Sequence, residues 1–425
     1  MEKLKLTIST NSLATKIVLS VWLVLTASFI VLKGGVEGWN NRGGDFNNYY
    51  VAAVLVAEGE SIDQFYDNNW YVAKAHEMRV EKGAKFAPFP PLTAFLYSPL
   101  SGFDFLTAKR IWLVFNALLL LFLPFRLKRI FNLPFLSAIF ITSLFFVPLS
   151  SNFNFGQAYF LLTFCMIEAI GLAQLKGKQR IAAVIIALCA LLKYFPLLFI
   201  LYLFDPIKEK GQGLITYLFK QKWILTFGLA IMAILGLSIL FFHDAYQAYL
   251  ITFSDHLQGN LSGQGKFAIG FQSIDSLLNN LFVSDNAAIV DMPLLKSLLK
   301  ATFFLGIAWT CFRIFKRDEY QFTAINSSIF IMGAFVLVPA SASYHFLFLL
   351  IPVVFTFKWL MALKSNRPLI IFVVLLIMVF CIQSHHIPDL QSFPSVNYVI
   401  HYPRFWCLLL LFGYLSYIKL NSKNG

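Results

Sequence analysis

The chain has 425 residues, 58% of them hydrophobic and only 13% charged, with a mean hydropathy of +0.70. That composition excludes a soluble domain and marks an integral membrane protein. The net charge of +13 first suggests nucleic acid, but the lysines and arginines concentrate in short inter-helix segments. These hold Lys3 and Lys5; Arg126, Lys128 and Arg129; Lys176, Lys178 and Arg180; Arg313, Lys316 and Arg317; Lys358, Lys364 and Arg367; Lys419 and Lys423. By the positive-inside rule they face the cytoplasm together with both termini, so the charge is topological and argues against nucleic-acid binding.

In chain order, the first apolar run covers 17–32 and ends at Lys33 without an Ala-x-Ala-like site. It is read as a span rather than a cleavable signal peptide. A long segment follows, 34–110, rich in aromatics and prolines; apolar residues at helical spacing in 49–57 predict short helices lying along the interface. Further apolar runs occupy 111–125, 134–149, 158–175, 180–204, 223–242, 297–315, 322–338, 344–357, 368–383 and 404–418. The run 180–204 has basic residues on both sides, including Lys208, Lys210, Lys220 and Lys222, and is interrupted at its middle by Lys193 and Pro196. Two half-length helices entering and leaving on the same side satisfy that pattern, as broken helices do where they line a cavity; one long span with a basic outer loop is the alternative. The expected fold is all-α and polytopic, one integral domain over 1–425 with about ten full spans plus a broken-helix hairpin. Cys165, Cys189, Cys311, Cys381 and Cys407 all fall inside apolar runs and are read as packing residues.

With that topology the outer segments are 34–110, 149–157, 243–296, 339–343 and 384–403, and nearly every unusual polar cluster falls in or beside them. Asp45 lies in GGDFNNYY (43–50), where the chain turns back toward the bilayer. It is either the N-cap of the helix that follows or a general base, since acids near the bilayer boundary are costly unless paired or working; the two roles can coexist. Tyr49, Tyr50, Tyr66, Trp70 and Tyr71 read as interfacial aromatics, with Tyr49 also a candidate on the substrate side. In SSNFNFGQAYF (150–160), Asn154 and Gln157 sit in what reads as an uncharged turn joining two spans. KFAIGFQSIDSLLNNLF (266–282) carries Gln272 in an amphipathic, interfacial pattern. His345 stands at the outer mouth of the run 344–357, and Arg404 opens the last run. His385 and His386 with Asp389 do not share a helical face and lack a recurring acidic partner, so no metal site is expected there, and no cofactor is implied.

Taken together, these motifs resemble the polyprenol-phosphate-mannose-dependent mannosyltransferases, glycosyltransferase family 87 of the GT-C superfamily. The resemblance covers about 40–420 and rests on GGDFNNYYVAA; FPPLTAFLYSPL with Trp112 and Asn116 downstream; NFGQAYFLL; ALLKYFP; GFQSIDSLLNNLF; and SASYHFLFLLIP. The chain departs from the family where Phe271 precedes Gln272 in place of asparagine, where no arginine lies near Asn279 or Asn280, and where Phe346 follows His345. The resemblance implies inverting transfer of a hexose, mannose by the family's habit, from a polyprenyl-phosphate-sugar donor to a hydroxyl of a lipid-linked or cell-envelope glycan acceptor. The site would face outward from the inner (plasma) membrane, with Asp45 as base. The leaving phosphate needs charge stabilisation rather than a proton; His345 and Lys193 are the candidates, with Gln272 and Arg404 behind them. A lipid-linked glycan flippase or transporter, or a polysaccharide polymerase or ligase, is the alternative reading.

Overall fold

In a computed structural model, the structure describes residues 13–80, 84–175, 177–204, 216, 220–257, 269–283, 292–338, 342–363, 365–382, 387 and 394–422. His385, His386 and Asp389, and the basic residues Lys3, Lys5, Lys176, Lys208, Lys210, Lys364 and Lys423, lie outside that set. Among the described residues every regular element is helical. The protein is an all-α polytopic membrane protein whose chain divides into two compact units, Met1–Leu203 with Lys222–Ser262 and Phe204–Gln221 with Gly263–Gly425.

The first unit begins with α1 (Leu13–Phe29), which continues through a π-helical stretch (Ile30–Val36) into α2 (Glu37–Asn40). The helix therefore runs well past Lys33, where the apolar run ends. Two features sustain it. Lys33 pairs with Glu37 one turn on at 2.7 Å, and Gly34 and Gly38 present backbone to α7 (Phe146–Phe155). A Cβ on Gly34 would lie 2.9 Å from Ser150 Cα, and one on Gly38 2.9 Å from the Phe153 carbonyl oxygen. Small residues four apart permit such close helix contact inside a membrane.

The segment after α2 folds, as expected, into short helices: α3 (Phe46–Ala57), α4 (Asn68–Glu77) and 3-10 turns at Ile62–Tyr66, Pro91–Phe95 and Ser98–Leu100. Its aromatics do not form an interfacial belt. Tyr49 and Tyr71 are fully buried and Tyr50 nearly so, in one apolar cluster with Phe65, Phe86 and Tyr97 against which Tyr66 and Trp70 pack. Their hydroxyls are satisfied internally: Tyr50 donates to the Phe103 carbonyl at 2.8 Å, Tyr66 to Phe89 at 2.7 Å and Tyr71 to Asn48 at 2.7 Å. The loop thus has a core of its own, and a buried phenol with a partnered hydroxyl is stable where an unpartnered one is not.

Next come α5 (Phe105–Phe131), α6 (Phe135–Leu144) and α7, the last two bent by 62° across Phe145. The run 134–149 is therefore not one straight element, and the polar stretch SSNFNF is the end of a helix rather than a turn. The helix stops only at Gly156, which adopts φ +65° and so closes it as a left-handed cap. After α8 (Tyr159–Ala173), α9 (Gln179–Leu192) breaks at Lys193, whose backbone is extended at φ −151°, ψ 132°. The interruption falls where the sequence placed it, but the second half, Phe195–Tyr202, is a 3-10 rather than an α-helix. The unit closes with α10 (Lys222–Phe241) and α11 (His243–Leu257).

The second unit contains α12 (Ile274–Phe282), α13 (Pro293–Arg317), α14 (Ala324–Leu337), a 3-10 turn (Ser343–Leu349) leading into α15 (Leu350–Met361), α16 (Arg367–Cys381), α17 (Pro394–Ile400) and α18 (Pro403–Asn421). The amphipathic stretch that reads as interfacial, α12, instead buries Ile274, Ser276, Leu277 and Leu278. Ser273 caps it by accepting from the Ser276 amide at 3.2 Å.

Among the described residues, five helical segments are long and apolar enough to cross a membrane, or six with the bent α6–α7 pair. Further apolar helices, including α8, α9, α14 and α16, have only 10–17 residues. A 15-residue helix rises about 22 Å, short of a hydrocarbon core of roughly 30 Å. Against the sequence reading of about ten full spans, five or six described segments have the length and apolarity of a full span, and the other apolar helices are shorter.

Candidate active site

Asp45, Asp67 and Asp104 each hold the N-cap position of a helix in the first unit, and two of them do what that position invites. Asp67 accepts from the Asn69 and Trp70 amides at 2.9 and 3.2 Å, and Asp104 from the Leu106 and Thr107 amides at 3.1 and 3.2 Å. Asp45 holds the same position on α3 but makes no capping bond. Its Oδ2 instead accepts from Gln157 Nε2, and its Oδ1 accepts from Asn48 Nδ2 at 3.4 Å. A cap contributes about 1 kcal/mol and a charge-assisted side-chain bond about 1.5–3 kcal/mol, so the glutamine wins the carboxylate. Between the two roles the sequence left open, the capping one is not realised.

Gln157 is positioned from several directions. It follows Gly156, whose left-handed turn brings the chain against Phe46; a Cβ on Gly156 would lie 2.7 Å from Phe46 Cβ. Its amide donates to the Asn152 carbonyl at 3.0 Å, its own carbonyl accepts from Trp112 Nε1 at 3.4 Å, and its Oε1 accepts from the Tyr49 hydroxyl at 2.6 Å. The result is a directed relay in which Tyr49 orients Gln157 and Gln157 orients Asp45. Tyr49 is fixed in turn by stacking between Tyr97 (4.8 Å, 10°) and Phe89 (5.2 Å, 6°).

The turn before Asp45 is also anchored. Lys109, fully buried in α5, donates to the carbonyls of Asn41 at 2.6 Å and Gly43 at 2.9 Å. Asn154 accepts from Asn41 Nδ2 at 3.1 Å and donates to the Lys33 carbonyl at 3.0 Å and Glu37 Oε2 at 2.9 Å. Its amide is engaged with the π-helical stretch and the turn, a fastening role rather than an open one.

Two lysines lie within electrostatic reach of the carboxylate. Lys193, buried at the α9 break, has Nζ 3.3 Å from the centroid of the Phe89 ring, with the Tyr49 and Tyr159 rings at 5.2 and 5.5 Å. A cation held against ring faces needs less hydration. The neighbouring Leu192 carbonyl accepts from Thr93 Oγ1 at 2.9 Å, which ties the break to the first loop. Lys85 lies in that loop; its amide donates to Asn48 Oδ1 at 2.8 Å. Both lysines interact electrostatically with Asp45. Burial pulls the Lys85 ammonium down to about 8, and Asp45 opposes that shift. Burial pushes the Tyr97 hydroxyl well above its ordinary value, and Asp45 adds to it.

Asp45, Tyr49, Gln157 and Lys193 are therefore brought together in one unit. Gln272, His345 and Arg404 belong to the other. There Gln272 Nε2 donates to the carbonyls of Ile269 and His401, each at 2.8 Å, and its Oε1 accepts from the Arg404 amide at 3.2 Å. The buried Arg404 guanidinium donates to the Val379 carbonyl at 3.1 Å and lies 5.4 Å from the centroid of the Phe346 ring. His345 Nδ1 accepts from the Ala342 amide at 3.0 Å, which leaves the proton of the neutral ring on Nε2. Sequence reasoning missed Lys85, Asn48 and Lys109. The signal for the two lysines was their placement in 34–110, the segment that the charge pattern alone assigns to the outer face, where the positive-inside rule makes basic residues uncommon.

The model of glycosyltransferase family 87 matches residues 86–339, more than half of the chain. The chain belongs to glycosyltransferase family 87. No curated protein and no solved structure matches it. This family 87 protein is a membrane glycosyltransferase, with a bilayer around it and a sugar donor and acceptor as its partners. Asn154, Gln157, Lys193 and Gln272 lie within the matched stretch, whereas Asp45, Tyr49, His345 and Arg404 lie outside it.

Proposed function

We propose that this family 87 enzyme transfers a hexose, mannose in the first instance, from a polyprenyl-phosphate sugar to a hydroxyl of a lipid-linked glycan acceptor. Transfer occurs with inversion, at the extracytoplasmic face of the plasma membrane. The observation that carries the reading is Asp45: an uncapping, half-buried carboxylate with one oxygen held by Gln157, the other met by Asn48 at a long 3.4 Å, and two lysines in electrostatic reach.

The acceptor hydroxyl donates its proton to Asp45 Oδ1 as its oxygen attacks the anomeric carbon from the face opposite the phosphate. The bond from the anomeric carbon to the phosphate oxygen breaks, and its electron pair stays on the polyprenyl phosphate. Gln157, bonded to Oδ2, keeps Oδ1 aimed outward. Lys193, poised in its ring cage, meets the charge arriving on the phosphate. No acid is needed for such a leaving group. In this reading Asn154 fastens the turn, Gln272 and Arg404 serve the scaffold of the second unit, and His345 is oriented by the Ala342 amide.

The test is to incubate the purified full chain with a panel of radiolabelled polyprenyl-phosphate sugars and a lipid extract, using Asp45→Asn as control. Product with one donor, and none from the folded variant, is the expected result. Full activity of Asp45→Asn removes the base. For the facing, exposed Arg42 replaced by cysteine should react with an impermeant thiol reagent from outside only; labelling from the cytoplasm overturns the topology.

A further inference from the structure

Charge accounting around Asp45 points to a residue that the transfer needs and that lies one position before the matched stretch. Resting on the reading above, the donor is a phosphodiester with one negative charge, and Asp45 carries another. After transfer Asp45 is neutral and the carrier is a phosphate monoester, whose full ionisation puts both charges on the phosphate. The site holds two negative charges throughout, but they move from two places to one. Lys193 cancels only one of them. A net charge left in a partly buried, low-dielectric site is costly, and more so once concentrated on a single group.

Lys85 is placed to supply the second positive charge. Its main-chain amide is fixed at 2.8 Å to Asn48 Oδ1, and Asn48 Nδ2 is the group facing Asp45 Oδ1. Asn48 is thereby a ruler between the base and the lysine. The same loop turns at Phe86–Phe89, where the Phe89 amide donates to the Phe86 carbonyl at 3.0 Å, and lays the Phe89 ring on Lys193 Nζ at 3.3 Å. One short loop therefore carries a lysine whose charge interacts with Asp45 and caps the other cation with a ring. Lys109, the other buried lysine nearby, has its ammonium engaged with two carbonyls and serves the turn.

We propose that Lys85 is the second cation of the donor-phosphate site, acting with Lys193 as negative charge passes from Asp45 to the leaving phosphate. Lys85→Arg, which keeps the positive charge, and binding of the uncharged polyprenol separate this role from a structural one.

The experiment measures binding of a long-chain polyprenyl phosphate, and of the parent polyprenol as control, to the full chain in zwitterionic nanodiscs. Wild type, Lys85→Met, Lys85→Arg and Asp45→Asn are compared. Wild type should prefer the phosphate over the alcohol. Lys85→Met should weaken phosphate binding about tenfold, the equivalent of one charge-assisted contact, and leave alcohol binding unchanged. Lys85→Arg should recover most of the loss, and Asp45→Asn should bind the phosphate more tightly than wild type. Unchanged phosphate binding by Lys85→Met overturns the role of Lys85 alone. Wild type that does not distinguish phosphate from alcohol overturns this role together with the polyprenyl-phosphate reading. Full transfer by Asp45→Asn with phosphate binding still dependent on Lys85 removes only the base.

Discussion

The two units hold similar polar side chains and use them differently. Around Asp45, side chains bond to side chains: Tyr49 to Gln157, Gln157 to Asp45, Asn48 to Asp45, with cations facing the same carboxylate. Around Gln272 the candidate side chains reach main chain: Gln272 to Ile269, His401 and Arg404, Arg404 to Val379, and the His401 ring to the carbonyls of Asn397 and Ile387, while Ser276 and Asn280 bond the Tyr402 hydroxyl. Backbone partners are fixed by the fold, so such bonds stabilise one conformation and leave little to respond to a substrate. A network that ends on a carboxylate, one of whose oxygens has only a long 3.4 Å contact, has something left to do. A buried glutamine or arginine is thus a poor guide to chemistry until its partners are known.

The sharpest break in that comparison is expected at Asp45. Asp45→Asn keeps the shape and the Asn48 contact but removes the base, and transfer should fall by at least about a thousandfold, the scale of general-base catalysis. Asp67→Asn is the matched control, since Asn also caps; its activity should equal wild type and its stability should change by well under about 1 kcal/mol. Equal losses at the two positions would make Asp45 an ordinary structural aspartate. Next in size is Gln157→Leu, which leaves Asp45 Oδ2 without its donor and Tyr49 without its acceptor. A drop of about 10- to 100-fold in kcat, with donor KM little changed, corresponds to losing one charge-assisted bond at the base. A rise in KM alone would make Gln157 a binding residue instead.

Part of this was legible in the sequence. Hydropathy gave the class, charge placement singled out the interruption at Lys193, and Asp45 followed from a lone acid preceding a helical pattern. These signals are local, and they report the environment of a residue rather than its partner. The Gln157–Asp45 bond joins residues 112 positions apart, and nothing near NFGQ announces it. The NFNF stretch reads as a turn because asparagines favour turns; packing of α7 on Gly34 and Gly38 overrides that preference and carries the helix to Gly156. Tyr49 and Tyr71 read as interfacial because aromatics collect at membrane surfaces, whereas the first loop encloses them in its own core. Gln272 was singled out by polarity in an apolar context, and polarity alone does not separate a ligand from a buried amide bonded to main chain.

A smaller effect should appear with pH. Lys85 has its value lowered by burial to about 8, so it is mostly charged at pH 7 and loses its proton as pH rises through about 8. Asp45 faces it and opposes the shift, while the Tyr97 hydroxyl, pushed well up by burial, stays neutral across the window. If charged Lys85 helps capture the donor phosphate, donor kcat/KM declines between pH 7 and pH 9 by up to about tenfold, because that ratio reports the free enzyme. In Lys85→Arg the decline should shrink, since guanidinium holds its proton far above this range. A decline identical in wild type and Lys85→Arg would assign it to another group.

The smallest effect on catalysis should come from the second unit, in Gln272→Leu. The substitution removes an amide that bonds three main-chain groups and leaves the carbonyls of Ile269 and His401 and the amide of Arg404 short of a partner in a buried place. Each such loss costs about 1–3 kcal/mol, so the thermal unfolding midpoint in detergent should fall clearly. Because those partners are main chain rather than substrate, kcat and donor KM of the protein still folded at assay temperature should match wild type. A raised donor KM at unchanged unfolding temperature would reverse the assignment and place Gln272 against substrate. The two measurements move in opposite directions under the two roles, so this one variant decides whether the second unit's buried polar groups are scaffold or site.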